Sequence, residues 1–198
     1  MNVPSIAIDE QRIEWERPAR GRVGMFGFIA AEAAIFSIFV VAYLFYIGKS
    51  LTGPTPKDVL RVPIFYTICL LSSSLTIHLA AKLLRSGSVL IFGVLWLVTI
   101  ALGATFLYGT ATEWQRLIYH DGLTISTNLF GTTYYSLVGL HGFHVVVGLL
   151  SLSIVMVITL LGNMRAEYGE RVEVLSLYWH FVDVVWIVVF TVVYVIGR

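Results

Sequence analysis

Apolar residues in this chain are gathered into five long runs, over residues 23–47, 63–84, 88–110, 131–161 and 174–197. A helix crossing a hydrocarbon layer of ~30 Å needs about 20 apolar residues, and each run reaches that length. The stretches between them carry turn and water-facing signals: Gly53-Pro54-Thr55-Pro56, Arg85-Ser86-Gly87, a polar segment from Thr112 to Asn128, and a charged one from Asn163 to Glu173. The pattern predicts an all-α integral membrane protein with a five-transmembrane-helix bundle over residues 23–198. Residues 1–22 mix four acids with four arginines and read as a cytoplasmic or interfacial N-terminal tail.

The polar residues inside the runs fall on stripes. In the fourth run Tyr134, His141, His144, Gly148 and Ser151 recur at helical spacing, and in the fifth Glu173, Ser176, His180 and Asp183 do the same. Trp179, Val182 and Trp186 form the neighbouring face of the fifth. The first run carries Gly24, Gly27, Ala31 and Ala34 on one stripe, a spacing that permits close helix contact, with Glu32 beside it. The second holds Ser72-Ser73-Ser74 and Thr76, whose hydroxyls suit packing contacts. The third has no acidic, basic or histidine side chain within its predicted span, with Gly93 and Gly103 as candidate close-approach points.

Composition supports the membrane reading and narrows the partners. Hydrophobic residues make up 58% and charged ones 13%, with a mean hydropathy of +0.84, outside the range of soluble domains. A net charge of +1 without a basic run gives no footprint for nucleic acid. The single cysteine, Cys69, excludes an intrachain disulfide and a cysteine-based metal site. With five crossings, Lys and Arg number eight on the side of the N-terminus and five on the other. Positive residues favour the cytoplasm, so the N-terminus is expected inside and the C-terminus outside.

Ionisable groups at membrane depth are expensive and call for partners. Counting along the helices puts Glu32, His144 and Asp183 near the midplane, with His141 and His180 to either side. Three chemistries fit these residue types. Imidazoles and carboxylates suit Zn, Cu or Fe. Two histidines on different helices, His141 or His144 with His180, suit a haem in a quinone oxidoreductase anchor. Alternatively, the polar groups satisfy one another between helices or border a lipid site.

Two segments then carry a resemblance. Tyr178-Trp179-His180-Phe181-Val182-Asp183-Val184-Val185-Trp186, with Glu173 seven residues before the histidine, resembles the last-helix signature of subunit III of the haem-copper oxidases. Gly139-Leu140-His141-Gly142-Phe143-His144-Val145-Val146-Val147-Gly148 is similar to the signature of the preceding helix. Gly24 to Glu32 and Leu71 to Thr76 resemble two further segments, with Ala31 where the family usually has serine and Phe26 where it often has tryptophan.

The resemblance covers residues 20–198 and implies a short, five-helix bacterial form that lacks the first two of the seven helices of mitochondrial-type members. In some bacterial oxidases those two helices extend subunit I. It further implies a non-catalytic accessory subunit of a proton-pumping cytochrome c or quinol oxidase in the bacterial cytoplasmic membrane. Such a subunit packs on subunit I, with subunit II and a small subunit IV nearby, and binds structural phospholipid. It supports proton uptake and stability during oxygen reduction, while haems and copper reside in partner subunits. No catalytic, cofactor or metal residue is then expected here. Glu32, His141, His144, Glu173, His180, Asp183, Trp179 and Trp186 become intramembrane polar, lipid or interface candidates. The accessory protein of a nitric oxide reductase is the rival within the superfamily.

Overall fold

A computed structural model describes residues 20–50 and 52–198; the predicted tail lies almost wholly outside them. The described chain is helical: α1 (Arg20–Tyr46), α2 (Pro56–Val59), α3 (Ile64–Arg85), α4 (Val89–Tyr119), α5 (Leu129–Leu160), a 3-10 turn (Ala166–Tyr168) and α6 (Gly169–Phe190), which runs on as a π-helix over Thr191–Ile196. Five of these are long and apolar enough to cross a membrane.

The short connections follow from local chemistry. After α3, Gly87 takes φ +84°, its N–H bonds the Leu84 carbonyl at 3.0 Å and the Ser88 N–H bonds that of Leu83 at 3.0 Å. Gly162, with φ +72°, closes α5 in the same way through Thr159 and Ile158. Both are Schellman ends, in which a left-handed glycine lets the chain satisfy the last free carbonyls. At the start of α5, Asn128 Oδ1 accepts from the Gly131 N–H at 2.8 Å, while Asn128 Nδ2 donates to the carbonyls of Thr52 and Pro54, each at 3.1 Å. One side chain thus caps a helix and pins the α1–α2 connection.

α4 continues to Tyr119 rather than stopping at 110, so half of the expected polar loop is helix. Tertiary contacts hold this extension: Leu117 is fully buried, and Arg116 donates to Asp121 at 3.1 Å and to the Val59 carbonyl at 2.7 Å. α6 likewise begins at Gly169, ahead of the predicted 174, because the 3-10 turn leads straight into it.

The last helix occupies the centre. α6 packs against α1, α3 and α5, while α4 pairs with α3 and α5. Trp179 sets this arrangement. Its indole is completely buried, and its Nε1 donates to Ser73 Oγ of α3 at 2.8 Å. A Cβ at Gly103 of α4 would lie 2.8 Å from the ring, and one at Gly148 of α5 would lie 2.7 Å from it. No real side chain tolerates such distances, so glycine at both positions makes room for the indole.

The small-residue stripe of α1 behaves differently. A Cβ at Gly24 or Gly27 would meet nothing within 4 Å, and Ala31 and Ala34 are exposed. The stripe faces away from the other described residues, together with Val23, Phe26, Ile38 and Val41.

Gly103→Val and Gly148→Val should each destabilise the bundle by about 1–3 kcal/mol through overpacking. Trp179→Phe keeps most of the ring volume but removes the bond to Ser73, for a loss of about 1 kcal/mol. Thermal unfolding in detergent followed by circular dichroism measures all three; wild-type midpoints for the two valine variants would contradict the glycine clamp.

Candidate functional site

The candidate polar residues are divided among separate clusters. The first joins α1 to α5: Glu32 Oε2 lies 3.1 Å from His144 Nε2, and the other nitrogen of that ring, Nδ1, donates to the Leu140 carbonyl at 2.8 Å. A carboxylate facing a bare Nε2 would set two lone pairs against each other. The contact therefore holds one proton between the two groups, and the pair carries no net charge. Both side chains are largely withdrawn from the surface, at 18% and 7% exposure. Phe36 packs on the imidazole with ring centroids 5.0 Å apart, and Tyr178 Oη donates to the His144 carbonyl at 3.1 Å.

The second cluster joins α3 to α6. Ser74 donates its hydroxyl hydrogen to Asp183 Oδ2, and its Oγ lies 2.9 Å from His180 Nδ1. While Asp183 is ionised the single hydrogen of serine goes to the carboxylate, and His180 is the donor in the second contact. All the donors then point the same way, from histidine through serine to aspartate. Asp183 is 3% exposed, and its Oδ1 has no partner.

Glu173 sits at the end of the bundle where α1 begins, salt-bridged to Arg22 of α1 and Arg85 of α3. These side chains are a third to a half exposed, which limits each pair to about 1 kcal/mol or less. Beside them opens a cleft of about 470 Å³, lined by His78, Lys82, Arg85, Glu173, Ser176 and His180. The rings of His78 and His180 lie 6.4 Å apart.

His141 joins none of these groups. Its ring stacks on Trp186 at 5.0 Å and meets the edge of Phe106 at 5.7 Å, with both nitrogens buried and unpartnered. Trp186 is tied to α3 through Nε1 and Thr67 Oγ1 at 3.1 Å. The two faces read on the fifth run thus both bond to α3: the tryptophans pack and donate to Ser73 and Thr67, while His180 and Asp183 meet Ser74.

These commitments bear on the metal and haem readings. Among the described residues, no three His, Cys, Asp or Glu side chains converge as a ligand set. His144 is engaged by Glu32 and Leu140, His180 by Ser74, and His141 is enclosed by aromatic rings. His141, His144 and His180, the histidines offered for a haem, therefore lie in separate surroundings rather than on two sides of one space.

One half-buried acid escaped the sequence reading. Glu113, at the far end of α4, accepts from Tyr194 Oη at 2.9 Å, and its Oε1 is buried without a partner. Its signal is hidden because the apolar run ends at 110, which places Glu113 in the polar segment that follows. Ser74 is equally hard to single out, since three consecutive serines offer three hydroxyls and the sequence does not say which one meets His180 and Asp183.

The chain matches the family described as Cytochrome c oxidase subunit III over residues 19–198. It is 32% identical to cytochrome c oxidase subunit 3 of Alkalihalophilus pseudofirmus, over 88% of this chain and 86% of the relative. With the protein of the same description from Thermostichus vulcanus it shares 33% identity over 98% and 94%. It is also 34% identical to cytochrome bo(3) ubiquinol oxidase subunit 3 of Pseudomonas aeruginosa, over 88% and 84%.

Glu32→Ala leaves His144 Nε2 buried and unpaired, and should cost about 1–2 kcal/mol of bundle stability. Glu32→Gln, whose amide can donate to the same nitrogen, should cost less than half of that. Unfolding midpoints compared between the two variants check this, and equal losses would argue that the hydrogen bond to His144 is not what holds α1.

Proposed function

The chain belongs to the cytochrome c oxidase subunit III family, and from that premise we propose that it is the accessory subunit of a proton-pumping haem-copper terminal oxidase. The family match across nearly the whole described chain carries this reading. The pairing of intramembrane ionisable groups with one another, rather than with a free coordination position, agrees with it. Oxygen reduction then takes place at haem and copper in partner subunits. This chain packs against subunit I, with subunit II and a small subunit IV in the same complex.

The bias of Lys and Arg toward the N-terminal side supports a cytoplasmic N-terminus and an external C-terminus in a bacterial cytoplasmic membrane. In that orientation the cleft lined by His78, Lys82, Arg85 and Glu173 opens to the cytoplasm, the side from which such an oxidase draws protons. Structural phospholipid lies along the outward stripe of α1, where a Cβ at Gly24 or Gly27 would meet nothing within 4 Å among the described residues. Glu32, His141, His144, Glu173, His180 and Asp183, with Trp179 and Trp186, hold the helices in register beside the lipid and the subunit I contact. Relatives named for cytochrome c and for quinol match at similar identity, and the donor is read by the partner subunits.

Affinity purification of the tagged chain from its native membrane in mild detergent should recover haem- and copper-bearing oxidase subunits in fixed proportion. Recovery with a nitric oxide reductase instead, or of the chain alone with its own haem spectrum, would refute the assignment. In the purified oxidase, Glu32→Ala should leave the haem spectrum intact and shorten the time over which activity survives continuous turnover. Inactivation kinetics at the wild-type rate would deny Glu32 a part in sustaining turnover.

A further inference from the structure

The cleft at the N-terminal end and the buried carboxyl of Asp183 are joined by one side-chain path. His180 lines the cleft and gives its Nδ1–H to Ser74, 2.9 Å away, and Ser74 gives its hydroxyl hydrogen to Asp183. With Nδ1 engaged, Nε2 is the nitrogen of His180 left to face the cleft. We propose that His180 and Ser74 form a proton relay that loads Asp183 from water in the cleft, making Asp183 a proton-accepting site inside the membrane. For the use made of the proton this rests on the oxidase-subunit reading; the relay itself does not.

The transfer balances in atoms and charge. A proton from water adds to Nε2 of His180, leaving hydroxide that exchanges into bulk water through the cleft, the Nδ1 proton passes to Ser74 Oγ, and the serine's own proton passes to Asp183 Oδ2. The imidazole is left neutral with its hydrogen on Nε2, the serine keeps a hydroxyl, and the carboxylate becomes a carboxylic acid. Only O–H and N–H bonds are exchanged. Reversal is the same three hops in the opposite order, and a second inward transfer needs the Asp183 proton to leave, the serine hydroxyl to rotate and the imidazole hydrogen to return to Nδ1.

The surroundings favour this route. Asp183 is 3% exposed with Oδ1 unpartnered, and a charged carboxylate is costly there, which gives the site a reason to hold a proton. The other charged and titratable groups on the packed elements are otherwise engaged. Glu32 of α1 and His144 of α5 bond each other, Arg22 of α1 and Arg85 of α3 hold Glu173, and His141 is closed in by Phe106 and Trp186. At the opposite end, Glu113 of α4 is bonded to Tyr194. His78 and Lys82 of α3 are left at the cleft mouth. His78, with its ring 6.4 Å from that of His180, is placed to hand protons inward.

Infrared spectroscopy of the intact oxidase complex tests the relay. A carboxylic C=O band that disappears in Asp183→Asn and persists in Glu32→Gln identifies the protonated Asp183, and its downshift after transfer into D2O times proton exchange at the site. Ser74→Ala and His180→Asn should each slow that exchange about tenfold or more, since each removes a hop, while Ser74→Thr, which keeps the hydroxyl, should exchange within about threefold of wild type. Should Ser74→Ala fail to assemble, His180→Asn and Ser74→Thr carry the comparison. Wild-type exchange in either interrupted variant, or no Asp183-dependent band between about pH 5 and 9, would overturn the relay while leaving the subunit assignment, which rests on co-purification, untouched.

Discussion

The bundle depends on the indole of Trp179 fitting between two glycines. In lipid, water does not drive helices together, so association relies on close packing and on bonds between helices. Trp179 supplies both at the centre of the fold: its ring lies against Gly103 of α4 and Gly148 of α5, and its N–H reaches Ser73 of α3. One side chain on α6 thereby fixes the positions of three neighbours. Once α6 is seated in this way, the direction in which His180 and Asp183 project is no longer free, and neither is the set of partners they can meet.

The second constraint is electrostatic. Carboxyls and imidazoles cannot stand as isolated ions in such a medium, and the chain meets this by small local pairings. Glu32 with His144 amounts to a single shared proton, and His180, Ser74 and Asp183 form an ordered line of donors. The first pairing is closed, because both imidazole nitrogens are engaged. The second is open at one end to a polar cleft and has an unpaired oxygen at the other. That asymmetry separates a contact that only holds helices together from one that can also accept a proton.

Much of this architecture was legible in the sequence. Five apolar runs bounded by glycine and proline fix five helices, because a backbone in hydrocarbon has no other way to satisfy its own polar groups. The motifs around His141, His144, His180 and Asp183 identify the family, which the match over residues 19–198 establishes. Helix ends were less legible: α4 runs on to Tyr119 because Arg116, Leu117 and Glu113 find partners on other elements. Local polarity does not report such partners.

What the sequence determined by itself is periodic and compositional: which stretches span, which residues share a face, and which charges need company. Only the tertiary structure decided which helix lies at the centre and who pairs with whom. It gave Glu32 to His144 and His180 to Ser74, left His141 among rings, and turned the small-residue stripe of α1 outward. The physical reason is that spacing along a helix fixes a residue's angle about its own axis. The rotation and depth of one helix against another are set by interlocking side chains far apart in sequence, here chiefly Trp179 against Gly103 and Gly148.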